Sequence, residues 1–265
     1  GLTVGQVLAL LEPHDLGTTP MAPAALHVIA EAMKLAYADR DQYIADPDRV
    51  AVPSGMLDDG YIAQRGRLID AAKATPKATA GQPPGLARRT GIDATSESNG
   101  TSHISIIDAS GNAVALTTSI ENAFGARLMA GGLLLNNQLT DFSFRPTDAS
   151  GASIANAVAG GKRPRSSMAP TIIIDPSGRL KAVLGSPGGS RIILYVVKAV
   201  VGMIDWKLDA QAAADLANFG SRNGPFEIEA GPSVMSATAA LLPLGHQVQV
   251  VEMTSGLHIV TREAD

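Results

Sequence analysis

The sequence predicts an α+β fold, and three observations carry that prediction. Helical periodicity opens the chain, strand alternation begins abruptly at Thr101, and the later strands and helices come in runs rather than as alternating βαβ units. No internal repeat interrupts this layout. The 265 residues suffice for one large domain or two small ones.

Gly1-Leu2-Thr3 leads directly into a helical pattern. Leu26, Ile29, Ala30, Met33, Tyr37 and Ile44 then recur at helical spacing, with Glu31, Lys34 and Asp41 on other faces. Pro23 stands near the start, where its missing N–H costs nothing. A further helix is expected over 59–72. Residues 73–100 hold three Pro and four Gly among many Ser and Thr with no hydrophobic period, which predicts a mobile linker. From Thr101 the alternation of Ile104 and Ile106, the turn at Asp108–Asn112 and the run Val114–Ser119 predict a β-hairpin. Strands follow at 133–136, 171–175 and 181–184, the last two joined by an Asp-Pro-Ser-Gly turn. A long apolar helix is expected over 190–205 and another over 209–218. The end of the chain reads as strand 226–229, a helix near 236–242, and strands 248–252 and 258–261.

Composition narrows the function. Apolar residues make up 45% and charged residues 17%, against roughly 25% charged in typical soluble domains. That balance argues for a packed core over disorder. Lys and Arg number 21 against 25 acidic residues, so the net charge of −4 leaves no basic surplus for nucleic acid. The longest apolar stretch, Ile192–Trp206, is broken by Lys198 and Asp205 and is too short to span a bilayer. Cysteine is absent, which removes disulfides, thiolate metal sites and a cysteine nucleophile. His14, His27, His103, His246 and His258 are scattered without metal-ligand spacing, so neither a metal nor a cofactor is expected. Neither the cysteine count nor the first residues distinguish periplasm from cytoplasm.

Thr101 is the first candidate for chemistry. A threonine at a chain's N-terminus is a complete catalytic unit, with its hydroxyl as nucleophile and its own α-amine as general base. That role requires the Gly100–Thr101 bond to be broken, and attack by the Thr101 hydroxyl on the preceding carbonyl would break it. The plain alternative is a β-branched residue favouring a strand. Gly185-Ser-Pro-Gly-Gly-Ser190 lies between a strand and a helix, where free amides suit an oxyanion; the plain alternative is a Gly-rich turn. Asn136–Ser143 is dense in polar side chains, and Lys162–Met168 sets two hydroxyls beside three cations, otherwise read as a solvated basic turn.

Taken together, Thr101-Ser-His-Ile-Ser, Gly111-Asn-Ala-Val-Ala, Leu134–Ser143, Arg163–Thr171 and Gly185–Arg191 closely resemble the γ-glutamyltransferase (γ-glutamyl transpeptidase) family, in its order and near its spacing. The helix Glu31–Arg40 and Asp46-Pro-Asp48 resemble the same family ahead of the cleavage point. The resemblance covers nearly the whole chain. It implies an N-terminal-nucleophile hydrolase, an αββα sandwich made from a precursor that cuts itself. Residues 1–100 would then be the C-terminal part of the large subunit and 101–265 the small catalytic subunit of one domain, a heterodimer after cleavage. Thr101 would be the nucleophile and Ser119 its support, where the family often has Thr. Gln138, Asp141 and Glu121 would hold the substrate's α-ammonium, Ser166 and Ser167 its α-carboxylate, and the amides of Gly188 and Gly189 would form the oxyanion hole. The implied reaction attacks the γ-glutamyl amide of glutathione or a related compound and passes the acyl group to water, an amino acid or a peptide.

Three positions depart from the family pattern. Glu121 stands where Asn is usual, Thr140 replaces an acidic residue, and the lid segment after Phe144 holds no aromatic residue. The family also carries several hundred residues upstream, including a carboxylate-binding Arg, and a last strand downstream, so the chain is expected to be truncated at both ends. A related glutaryl acylase, or a non-catalytic unprocessed homologue, is the alternative.

Overall fold

The computed structural model describes residues 1–95, 97 and 100–262. Three helices open the chain: α1 (Leu2–Leu11), α2 (Pro23–Tyr43) and α3 (Asp59–Gly66). α3 stops earlier than its sequence pattern, and Asp58 caps it by accepting from the Tyr61 amide. α2 is buried on nearly every side, including the faces that carry Glu31, Lys34, Asp39 and Arg40. Buried charge is tolerated only when paired. Lys34 donates to Glu31 at 2.7 Å, and Asp39 accepts from Gln6, Tyr61 and the Gly81 amide.

Residues 73–95 form no helix or strand beyond isolated bridges. They are nevertheless tied down along their length: Thr75 to Glu31, Ala78 to Asn223, Gly81 to Asp39, Gly91 to Ser153 and Asp93 to Asp41. These bonds run to partners distant in sequence, so a composition that reads as a linker takes a defined course.

β1 (Gly100–Ile107) and β2 (Ala113–Glu121) form the expected hairpin, with Thr101 opposite Ser119 and an irregularity between Gly100 and Thr101. The two-residue strands β3 (Met129–Ala130) and β4 (Leu133–Leu134) follow, then a 3₁₀ turn over Gln138–Asp141. β5 (Thr171–Ile174) and β6 (Leu180–Gly185) lead through a 3₁₀ turn at Gly189–Arg191 into α4 (Ile192–Ile204). α5 (Ala210–Asp215), β7 (Phe219–Gly220), β8 (Phe226–Glu229), α6 (Ser233–Leu241), β9 (Val248–Val251) and β10 (His258–Thr261) complete the order. β10, β6 and β5 make an antiparallel sheet in that order, and β7, β8 and β9 make a smaller mixed one.

The hairpin packs on the β10–β6–β5 sheet. Ser105 donates to the His258 carbonyl at 3.2 Å, and any side chain at Gly185 would overlap the His103 ring. On the other side of β6 lies the main core, where Ala182 and Leu184 join α4, α2 and α1. The hairpin's two faces are unlike. Thr101, His103, Ser105, Thr117 and Ser119 point inward, whereas Ile104, Ile106, Val114 and Leu116 are 44–51% exposed on the outer face.

Candidate active site

A small cavity of about 20 Å³, room for roughly one water, lies where the start of β1, the end of β2, the 138–141 turn and the 166–168 loop converge. Thr101, Ser119, Glu121, Gln138, Asp141, Ser166, Ser167 and Gly189 line it, together with Glu97, Met168 and Ile192. Gly188 does not line it; it is buried and abuts the Tyr195 ring. The backbone of Gly188 and Gly189 has φ of +135° and +55°, and among the described residues neither amide donates a hydrogen bond. Free amides are what a helix start provides.

Strand register places the hydroxyls. Thr101 and Ser119 are cross-strand partners, and the Thr101 hydroxyl donates to Ser119 Oγ at 3.3 Å. Ser119 Oγ in turn donates to the Gly100 carbonyl at 2.9 Å and accepts from the Glu121 amide at 2.9 Å. A side chain at Gly100 would overlap the Glu121 carbonyl. Glu121 closes β2 with φ of +73°, a left-handed conformation that costs of order 1–3 kcal/mol in a non-glycine residue.

Acidic groups gather at one end. The Gln138 amide lies 3.3 Å from both Glu121 and Asp141. Burial, then Glu121, then Glu97 raise the Asp141 carboxyl to about 7. Gln138 Oε1 and Asp141 Oδ1 are buried and accept no hydrogen bond among the described residues. This end therefore offers acceptors and negative charge without matching donors. An ammonium supplies both three N–H groups and the opposite charge.

The other end is lined by Glu97 and the two serine hydroxyls, with buried arginines behind them. Ser167 is buried and Ser166 exposed. Residues 162–168, which read from composition as a solvated basic turn, are instead held on three sides. Lys162 donates to the carbonyls of Ala155 and Ala157, and Arg163 pairs with Asp46 at 2.8 Å and Asp48 at 2.6 Å. Those bonds from Arg163 hold the Asp46 carboxyl well below the usual carboxylate range. Arg165 is only 3% exposed; its amide donates to Asn156, which also donates to Asp93 and to the Asp141 carbonyl. Arg40 of α2 reaches Ser167 Oγ at 2.5 Å.

Glu97, Arg40 and Arg165 are the site residues that sequence reasoning missed. Arg40 and Arg165 stood inside segments already singled out, but only the fold turns their side chains toward Glu97. The structure also brings together His27 and His246, 219 residues apart, with Glu31 beside them. Most of their ligand atoms are engaged in protein bonds, His27 with His246 Nε2 and with the Asp70 carbonyl, and Glu31 with Lys34 and the Thr75 amide. His246 Nδ1 is buried and makes no hydrogen bond among the described residues. No helix among the described residues is long and apolar enough to cross a membrane.

With that geometry in place, comparison with known proteins decides the lineage. The gamma-glutamyltranspeptidase family model matches residues 1–265. The chain belongs to the gamma-glutamyltranspeptidase family. Among curated members, the glutathione hydrolase proenzyme of Escherichia coli is 39% identical over 250 residues, covering 91% of this chain and 42% of that protein. The chain thus spans less than half the length of that relative. A crystal structure of a variant gamma-glutamyltranspeptidase from Helicobacter pylori matches 60% of this chain and 89% of its own chain, at 31% identity and TM-score 0.53. The cephalosporin acylase of Bacillus halodurans shares the fold over 99% of this chain and 45% of its own, at 22% identity and TM-score 0.79. The mixed α/β architecture with several sheets is that of this family and its N-terminal-nucleophile relatives.

Proposed function

We propose that this chain is the catalytic part of a γ-glutamyl-transferring enzyme in which Thr101 first cuts the Gly100–Thr101 bond and then serves as nucleophile. The observation that carries this reading is the Ser119 hydroxyl, which accepts from Thr101 and donates to the Gly100 carbonyl. One side chain thus orients the attacking oxygen and polarises the carbonyl it would attack. In the cut, a bond forms from Thr101 Oγ to the Gly100 carbonyl carbon and the C–N bond breaks. The hydroxyl proton passes to the leaving amine, and water then hydrolyses the ester. The Helicobacter pylori structure covers 60% of this chain and 89% of its own, close to the 165 residues from Thr101 onward, which supports a division there into residues 1–100 and 101–265.

In the mature site the freed Thr101 amine, with an unperturbed pKa of about 7.7–8.0, takes the hydroxyl proton as Oγ attacks a γ-glutamyl amide such as glutathione. The developing oxyanion is held by the free amide of Gly189, which lines the cavity, where one positioned donor is typically worth about 10²–10³ in rate. The departing amine takes the proton, leaving a γ-glutamyl ester on Thr101. Water or the amine of an amino acid or peptide then accepts the acyl group. Glu121, Gln138 and Asp141 receive the α-ammonium, and Ser166 and Ser167 the α-carboxylate.

Intact mass of the purified chain and of Thr101→Ala tests the first step. The parent is expected as pieces of 100 and 165 residues and the variant as one chain. Equal cutting of both would assign the break to an outside protease. An uncut parent would favour a non-catalytic homologue.

A further inference from the structure

Glu97 stands three residues before the proposed cut, and its carboxylate is held as a ligand is held. One oxygen accepts from Arg40 Nη2, and the other accepts from Ser167 Oγ at 2.5 Å. Arg165 Nε lies 3.5 Å from the first oxygen. Burial pushes the Glu97 carboxyl up, but the two guanidiniums and the two hydrogen bonds outweigh it and hold the group below its ordinary value. Both arginines are almost wholly buried. Arg165 faces Asp41, Asp93 and Glu97 only at 3.4–3.5 Å, and its Nε and Nη1 make no hydrogen bond among the described residues. An arginine serving only as a structural cation would spend its N–H groups on its acids, because a buried donor left unpaired costs the full desolvation of that donor.

We propose that Arg40, Arg165 and Ser167 form a seat for a free carboxylate, that Glu97 fills this seat in the uncut chain, and that the cut frees the seat for the α-carboxylate of the acyl substrate. The mature role rests on the function proposed above; the seat and its occupation by Glu97 do not. The arrangement suits an α-amino acid head group. Glu121 and Asp141 line the cavity at one end and Ser167 and Glu97 at the other, with Arg40 bonded to both of the latter and Arg165 beside Glu97. Once Glu97 leaves, an ammonium and a carboxylate on the same carbon therefore each meet opposite charge. Until the chain is cut, its own carboxylate competes for the substrate's place at an effective concentration that no free ligand matches.

The seat is tested in the Thr101→Ala chain, where cutting plays no part. Adding Glu97→Ala empties it, and formate is the probe. Formate is expected to raise the Tm of the double variant progressively beyond sodium chloride at equal ionic strength, in the manner of a bound ligand. It is expected to leave Thr101→Ala alone unchanged, and Arg165→Leu in the double variant abolishes the response. Should that triple variant fail to fold, Ser167→Ala in its place raises the half-saturating formate concentration several-fold. An equal formate response with Glu97 present, or one that survives both changes, overturns the seat. In enzyme already cut, Arg165→Leu is expected to raise KM for a γ-glutamyl anilide roughly tenfold or more, the worth of one charge-assisted hydrogen bond. An unchanged KM there removes the mature role. An uncut parent with the formate response intact removes only the function it was joined to.

Discussion

Asp141 carries the clearest pH signature in the cavity. Its carboxyl sits near 7, so in the empty site it holds a proton below neutrality. Between about 4, its value in an unfolded chain, and about 7, the folded chain binds a proton that the unfolded chain has released. Stability therefore falls as pH rises through that window. An α-ammonium ligand needs the ionised form, so its affinity should rise over the same range. Turnover of a γ-glutamyl anilide by the mature enzyme is expected to fall by orders of magnitude in Asp141→Ala, while a glutaryl anilide, which lacks the ammonium, changes little. Equal losses on both would make Asp141 a residue of the fold rather than of the ligand site. The residues of this end were legible because Gln138 and Asp141 lie in one short motif. The shifted carboxyl was not, since its cause is burial together with Glu121 and Glu97, which arrive from β2 and from the segment before Thr101. Glu97 itself lies in a stretch with no pattern to mark it.

At the scale of elements, α2 joins the core to the site. Its apolar period was readable, but the burial of its charged faces was not, because their partners, such as Thr75 and Gly81, come from the patternless residues 73–95. His27 of α2 bonds His246, whose ring is held down to about 4 by burial first, then by Lys34 and His27. The sign is that of a base kept neutral. The unfolded chain takes up a proton below about 6.5 while the folded chain resists to about 4, so stability present above 6.5 is lost as pH falls across that window. His246→Gln is expected to lower Tm at pH 7 and to flatten its decline between pH 6.5 and 4, as followed by thermal melts. A slope equal to the parent's would place the acid sensitivity elsewhere. The expected strands were read to within a residue or two except at 133–136, where only Leu133 and Leu134 form β4 and Leu135 instead bonds Ala126 and Leu128, and the two-residue strands β3 and β7 went unread. The turn at 188–191 was legible as a site from its glycines, yet only Gly189 faces the cavity.

The molecule as a whole wears its hairpin with the polar face inward and the apolar face out. Alternation showed the two faces; it could not show which one the sheet takes, because that depends on His103, Ser105 and β10 meeting. An αββα sandwich has a second helical layer to cover such a face. Ile106→Glu is therefore expected to change stability by no more than roughly 0.5 kcal/mol in the 265-residue chain, as exposed substitutions do, and by several kcal/mol in a longer protein whose further residues cover the strand. Urea midpoints of the two would show it, and equal small effects would leave the face bare in both. The same two-sidedness bears on how the nucleophile is chosen. Thr101 and Ser102 are adjacent hydroxyls on opposite faces, and a slip of one residue against β2 would exchange them. Register thus acts as a vernier, selecting one alcohol from two before any bond is made or broken. A break found after Gly100 would then be a stamp that only a correctly aligned molecule can bear, and the fraction of chains carrying it would count how many had folded.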